Sequence, residues 1–170
     1  MPLHTIIRPE RPADIAVIAE ITRDAFRSHP HSDHFEHVIL DALRGSGALS
    51  VSLVAEVNAQ VAGHIAFSPV SVADGAQDWY GLGPMAVKPE LQGQGIGRVL
   101  VQNGLAALRR LDAQGCVVVG ERGFYGRFGF EENKELVLEG VPQEYFLSLA
   151  IGEKSARGQV TYHDAFRAQG

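Results

Sequence analysis

A glycine-rich stretch between an apolar run and an amphipathic helix constrains the fold of this chain more than any other feature. The stretch is Gln92-Gly93-Gln94-Gly95-Ile96-Gly97-Arg98, and it follows the apolar run 82–87. Apolar residues at helical spacing come next, namely Ile96, Val99, Leu100, Leu108 and Leu111. The glycines therefore lie where a helix begins, and a helix start offers free N–H groups and a partial positive charge to an anion. Since glycine lets a ligand approach those N–H groups, the pattern predicts a phosphate cradle.

The spacing of the glycines limits which phosphate-binding loop this can be. A Walker A loop has a Lys-Ser or Lys-Thr pair after its last glycine, whereas Arg98-Val99 follows Gly97, so that class is excluded. A Rossmann loop has the pattern Gly-x-Gly-x-x-Gly after the first strand and an acidic residue about 20 residues later. The glycines here alternate, but Glu121 could serve as that acid, so an NAD(P)-binding oxidoreductase stays open. A glycine-rich turn that only packs a helix against a strand stays open as well.

Motifs outside the loop resemble those of one enzyme superfamily. They are Ile7-Arg8-Pro9 with Asp14, the segment 66–70, the apolar run 116–120, Phe124-Tyr125-Gly126-Arg127-Phe128-Gly129-Phe130, and Tyr162-His163. Together with Gln92-x-x-Gly95-x-Gly97, and in this order, they resemble the GNAT (GCN5-related) N-acetyltransferases, in particular the YhbS-type branch. The resemblance spans nearly the whole chain.

The order of the predicted elements indicates an α/β fold of the α+β kind, in one domain over residues 1–170. Helices are predicted at 12–26, 33–44, 96–111 and around Tyr125, and strands at 4–8, 51–57, 60–70, 82–87, 116–120, 136–138 and 145–150, with a hairpin at Asn58-Ala59. The strand–helix–strand unit at 81–120 needs a right-handed crossover, which makes its strands parallel. The resemblance implies the GNAT fold, a mixed and mostly antiparallel sheet of about seven strands with a splayed parallel pair and about four flanking helices.

The resemblance also implies a co-substrate and a reaction. It places acetyl-CoA against Met85, Ala86, Val87, Gln92, Gly93, Gln94, Gly95, Ile96, Gly97, Arg98 and Tyr125. The pantetheine amides would extend the strand edge at 85–87, the pyrophosphate would lie at 93–98, and an N–H near Val87 would polarise the thioester carbonyl. Tyr125 is the expected catalytic acid, which protonates the departing thiolate after an amine attacks directly. An acyl-CoA-binding sensor without turnover is the alternative.

The general base and the role of several histidines stay open. The run 79–87 contains no carboxylate, so Glu56, His64 or no base at all are the possibilities. His29, His31, His34 and His37 lie close to Asp33 and Glu36, but no recognised zinc spacing links them, so we expect no metal site. These histidines could contact the acceptor instead. Tyr162 and His163 could close over the acceptor pocket or simply pack the C-terminal tail.

Composition excludes some classes of function. The formal net charge of −5 argues against general nucleic-acid binding. No apolar run approaches the ~20 residues that a membrane span needs. The single cysteine, Cys116, opens an apolar strand and is expected to be buried, and no intrachain disulfide can form. With no signal-peptide pattern at 1–5, we expect a cytoplasmic enzyme, monomer or homodimer, that acetylates a small-molecule amine or a peptide or protein amine.

Overall fold

A computed structural model of the chain describes residues 4–30 and 32–169. Within these residues there are four α-helices and several short 3-10 turns. The helices are α1 (Ile15–Phe26), α2 (Glu36–Gly45), α3 (Ile96–Arg110) and α4 (Arg122–Tyr125). No helix of the described residues is both long and apolar enough to cross a membrane.

The helices surround a mixed sheet, which has nine strands in the described part of the chain. The strands are β1 (Thr5–Pro9), β2 (Val51–Val57), β3 (Gln60–Val72), β4 (Trp79–Val87), β5 (Gly115–Val119), β6 (Glu131–Glu132), β7 (Leu136–Val137), β8 (Phe146–Ala150) and β9 (Gly158–Tyr162). Their order is β1-β2-β3-β4-β5-β8-β6, while β9 pairs with the end of β3 and with β7. All pairs are antiparallel except β4–β5 and β7–β9. The predicted mixed, mostly antiparallel sheet is confirmed, although two of its strands, β6 and β9, were not predicted.

The hairpin of β2 and β3 follows the prediction closely. Val57 pairs with Gln60 across a turn whose two central residues, Asn58 and Ala59, have φ angles of 53° and 63°. Positive φ at both positions is the backbone of a type I′ turn, whose twist matches that of the strands it joins. The turn and a register shift between Ala55 and Glu56 together set the pairing in which His64 lies opposite Val54.

Several predicted boundaries were wrong by a few residues. The predicted helix at 12–26 begins as a 3-10 turn at Pro12–Asp14 before α1. Asp14 holds this tight turn, because its carboxylate accepts a hydrogen bond of 2.7 Å from the Arg11 N–H and two more from Arg8. The second helix begins at Glu36 rather than at 33, and β4 begins at Trp79 rather than at 82.

The two faces of the sheet are covered by different helices. Helix α3 packs on one face, where its own Leu100 and Leu108 and the β3 residue Phe67 are fully buried. Helices α1 and α2 pack on the other face, where Ile18 and Leu40 are buried. This three-layer packing fixes where α3 begins relative to β4.

Strands β4 and β5 pair over only part of their length. Trp79, Tyr80 and Gly81 pair in parallel with residues 115–117, and beyond that point β4 continues to Val87 without β5 beside it. Along the same stretch β4 carries one extra residue relative to β3, because Ile65 pairs with Met85 but Phe67 pairs with Leu82. This bulge bends the strand. The predicted parallel, splayed pair is therefore confirmed by the pairing itself.

Candidate active site

A cleft of about 1040 Å³ opens where β4 and β5 part. One wall is the β4 segment 82–87, and the opposite wall is the end of β5 at 118–121 with Phe124, Tyr125 and Arg127. The stretch 91–98 closes one part of the rim, and the end of α1 closes another through Ala25, Phe26 and His29. Every cofactor-binding residue predicted from the sequence lines this cleft.

The start of α3 has the geometry of an anion cradle. Gly95 is the residue before the helix and has a φ of 91°, and Gly93 has a φ of 77°, conformations that other residues adopt only with strain. A Cβ atom at either position would meet nothing within 4 Å, so the glycines are required by the backbone and leave open space above it. Val99 donates to the Gly95 carbonyl, while the N–H groups of the three residues before Val99 point out of the helix start.

The side chain of Gln92 ties this cradle to the strand before it. Its Nε2 atom donates a hydrogen bond of 3.1 Å to the main-chain carbonyl of Val87. On its other edge β4 pairs with β3, where Ala86 lies opposite His64. The edge of β4 that faces β5 therefore carries main-chain groups into the cleft at Met85, Ala86 and Val87.

Tyr125 stands on the opposite wall and is packed tightly. Its ring meets Phe124 edge-on with centroids 4.9 Å apart, and Phe130 at 5.8 Å. A Cβ atom on Gly120 would lie 2.3 Å from a Tyr125 ring carbon, so only glycine fits beneath the ring. Burial raises the pKa of Tyr125 to about 12, and the nearby Cys116 adds to the shift. The phenol therefore keeps its proton at neutral pH.

Neither side chain considered as a general base reaches the cleft. Glu56 accepts a hydrogen bond of 2.9 Å from Arg8, which also pairs with Asp14 at 2.7 Å. His64 is 1% exposed, and its Nε2 atom lies 2.7 Å from the Ser52 hydroxyl oxygen. Burial lowers the pKa of His64 and favours the neutral ring.

His64 belongs to a network under α2. Arg44 donates hydrogen bonds of 2.8 and 3.0 Å to the two carboxylate oxygens of Glu10, and Ser52 and His64 approach the same carboxylate. Burial alone would raise the pKa of Glu10, but hydrogen bonds from His64, Arg44 and Ser52 outweigh it and hold that pKa well below its usual range. This network joins Glu10, just after β1, and strands β2 and β3 to α2.

The predicted histidine cluster is divided by the structure. His29 lines the main cleft, whereas His34 and His37 line a separate cavity of about 380 Å³, and His31 lies outside the described residues. Among the residues that are described, no group of three or more His, Cys, Asp or Glu side chains is arranged to hold a metal ion. Cys116 is fully buried, as expected, and burial raises its pKa.

The C-terminal aromatic residue packs against the sheet. Tyr162 lies directly over Gly81 and meets the ring of Phe166 at 5.0 Å. His163 uses its Nδ1 atom to accept a hydrogen bond from the Ala165 N–H at the start of a 3-10 turn. Of the two alternatives for Tyr162 and His163, the structure supports packing of the tail.

Sequence reasoning missed the role of several side chains that line the cleft. The sequence suggests Glu121 only as the acid of a dinucleotide loop and does not point to Ala25, Phe26 or Arg127 as site residues, yet all four line the cleft. The available signal for Glu121 was its place four residues before Tyr125. Nothing local in the sequence points to Ala25 or Phe26, because they reach the cleft through the packing of α1 on the sheet.

The fold and the cleft together define an acetyltransferase of the GNAT class. Residues 48–132 match the family model described as "Acetyltransferase (GNAT) domain". The N-acetyltransferase YhbS of Escherichia coli (strain K12) is 38% identical over 127 residues, which is 74% of this chain and 73% of YhbS. The chain therefore belongs to the GNAT acetyltransferase family, and the resemblance seen in its motifs is confirmed.

Two solved structures support the same assignment. A GNAT family acetyltransferase from Brucella melitensis, solved in complex with acetyl-CoA, is 48% identical, with a TM-score of 0.85 over 96% of this chain and 98% of that one. YhbS from Escherichia coli, solved in complex with CoA, is 33% identical, with a TM-score of 0.87 over 100% of this chain and 96% of that one.

Proposed function

We propose that this protein binds acetyl-CoA in the cleft between β4 and β5 and transfers the acetyl group directly to a primary amine. The observation that carries the proposal is that the anion cradle, the open edge of β4 and the Tyr125 side chain line one continuous cleft. The Brucella melitensis relative was solved with acetyl-CoA and the Escherichia coli relative with CoA, which supports this choice of co-substrate.

The cradle suits the pyrophosphate of the cofactor. Free N–H groups at a helix start and the helix dipole both favour a bound anion, and the open space above Gly93 and Gly95 admits it. Arg98 and Arg127 line the same cleft and add positive charge there. The exposed edge of β4 can accept the pantetheine amides as an added strand, and an N–H near Val87 can polarise the thioester carbonyl.

Tyr125 is assigned the role of acid toward the departing sulfur. A free thiol has a pKa of about 8.5, whereas the pKa of Tyr125 is raised to about 12. Complete proton transfer from the phenol to the thiolate is therefore uphill, and the hydroxyl acts by donating a hydrogen bond as charge develops on sulfur. Its contribution is expected at the low end of general-acid catalysis, about 10²-fold.

The experiment measures release of free CoA thiol from acetyl-CoA across a panel of amines and peptides. The protein should release CoA only when a suitable amine is present, whereas a sensor without turnover would bind acetyl-CoA and release none. Tyr125→Phe should lower kcat about 10²-fold while acetyl-CoA binding stays unchanged. In contrast, Gly95→Leu should abolish acetyl-CoA binding in a protein that still folds. A folded Gly95→Leu protein with unchanged affinity would remove the cradle from the proposal, and an unchanged kcat in Tyr125→Phe would remove the acid.

A further inference from the structure

Glu121 is the only carboxylate among the described residues that line the cleft. The other ionisable side chains there are His29, Arg98, Tyr125 and Arg127. Two of these are guanidinium groups, which match the phosphates of a CoA cofactor in charge. A carboxylate has the opposite charge and does not suit those phosphates, so it is available to a different ligand group.

The carboxylate of Glu121 has no structural partner in the described chain. Glu121 precedes α4 at the N-cap position, yet its side chain forms no cap hydrogen bond. The turn is held by the main chain instead, because the Glu121 carbonyl accepts hydrogen bonds from the N–H groups of Phe124 and Tyr125, at 3.2 and 3.0 Å. Within residues 4–30 and 32–169, the ion pairs formed at 4.0 Å or less do not include Glu121. A cap or an ion pair therefore does not explain this side chain.

The position of Glu121 is coupled to that of Tyr125. The two residues are four apart on a single short turn, and Gly120 between β5 and Glu121 lies directly under the Tyr125 ring. A group placed at this end of β5 faces the β4 segment that would hold the thioester carbonyl, across the cleft. The acceptor nitrogen must reach that same carbonyl. An amine that approaches the carbonyl would therefore enter the cleft that Glu121 lines.

We propose that the carboxylate of Glu121 binds the ammonium group of the acceptor and takes its proton, which selects protonated alkylamines as acceptors. This inference rests on the function proposed above. The ammonium first gives one proton to Glu121, which passes it to bulk water. The nitrogen lone pair then forms the N–C bond, and the C–S bond breaks with its electron pair on sulfur, while the Tyr125 hydroxyl donates a hydrogen bond to that sulfur. The second proton leaves the nitrogen as the amide forms and ends on the sulfur of free CoA, so one proton is released per acetyl transfer.

The first arm of the test compares Glu121→Gln with Glu153→Gln, which removes the same charge from an exposed site outside the cleft. With butylamine as acceptor, Glu121→Gln should lower kcat/KM at least about 10-fold, and Glu153→Gln should not. The loss should shrink at high pH, where the amine is already neutral, and Glu121→Asp should restore part of the activity. A fall in acetyl-CoA affinity, or a loss that does not depend on pH, would overturn the proposal, since either result makes Glu121 a cofactor-binding or structural residue.

The second arm measures binding and does not need turnover. CoA-loaded protein is titrated with butylammonium chloride and, as a neutral match, with 1-butanol, and chemical shifts are followed by NMR. Butylammonium should bind more tightly than butanol, and Glu121→Gln should abolish that preference while Glu153→Gln keeps it. If no amine releases CoA but this preference is seen, the proposed function fails and the ammonium site stands. Equal binding of both probes by the unchanged protein would overturn the ammonium site.

Discussion

The contact between Gly104 and Phe67 allows a quantitative test of how α3 is seated on the sheet. Gly104 lies in the middle of α3, and a Cβ atom there would be 2.3 Å from one ring carbon of Phe67 and 2.6 Å from another. Phe67 is 0% exposed and packed in the largest core cluster, so its ring has little room to withdraw. Because α3 begins at the cradle, how closely Gly104 approaches Phe67 also sets how far the cradle lies from β4.

The expected energies follow from two opposing effects. Alanine at an interior helical position is favoured over glycine by about 1 kcal/mol. Overpacking a rigid core costs about 1–3 kcal/mol, and a clash this deep belongs at the upper end. Gly104→Ala should therefore destabilise the protein by about 2 kcal/mol. In a Phe67→Leu background the obstructing ring atoms are gone, so the same substitution should be neutral or slightly stabilising, which gives a coupling energy of about 2–3 kcal/mol.

The measurement is a double-mutant cycle of urea unfolding, with the single tryptophan, Trp79, as one probe and circular dichroism as the other. Gly45→Ala is the control, because Gly45 is also a helical glycine, the last residue of α2, but a Cβ atom there would meet nothing within 4 Å. The control should change the free energy of unfolding by less than about 1 kcal/mol. If Gly104→Ala is equally harmless, or if the two substitutions at Gly104 and Phe67 are additive within about 0.5 kcal/mol, the argument from close contact is refuted.

Two further predictions concern the thermal stability of the protein at low pH and its zinc content. The folded-state pKa of Glu10 is low despite burial, because of hydrogen bonds that include those from His64 and Arg44, and burial lowers the pKa of His64. As the pH falls, His64 and Glu10 therefore take up protons in the unfolded chain before they do so in the folded protein, which favours unfolding. The thermal midpoint should be highest above about pH 6.5 and fall as the pH drops, first through His64 and then through Glu10. A midpoint that stays flat from pH 7 to pH 4 would contradict this. Elemental analysis of protein purified without a His-tag should show less than stoichiometric zinc, and a stoichiometric metal lost when His34 and His37 are changed together would show that a site was missed.

The sequence predicts the elements whose pattern is local and misses those that depend on distant partners. Helix α3 was found from its apolar spacing, and the β2–β3 hairpin from its valine-rich strands around Asn58-Ala59. Strand β6 consists of two exposed glutamates, which carry no apolar pattern. Strand β9 has one buried residue, Val160, and exists because it pairs with the end of β3, about 90 residues earlier in the chain. No periodicity could reveal either strand.

The same distinction separates the predicted part of the site from the missed part. A phosphate cradle is a property of one helix start, so seven consecutive residues were enough to predict it. Whether a carboxylate is free for chemistry is a property of the whole fold. Glu56 looks available in the sequence, but the structure pairs it with Arg8, which lies 48 residues away.

The ion pairs formed by other carboxylates explain why Glu121 is the carboxylate that is available in the cleft. On the side of the sheet covered by α1 and α2, Arg8 pairs with Asp14 and Glu56, and Arg44 pairs with Glu10. These partly buried pairs would be costly to break, because removal of one partner leaves the other charge without compensation. A base drawn from them would have to give up a structural bond each time it took a proton. Glu121 has no such bond among the described residues, so it can change its charge during a reaction without weakening the fold.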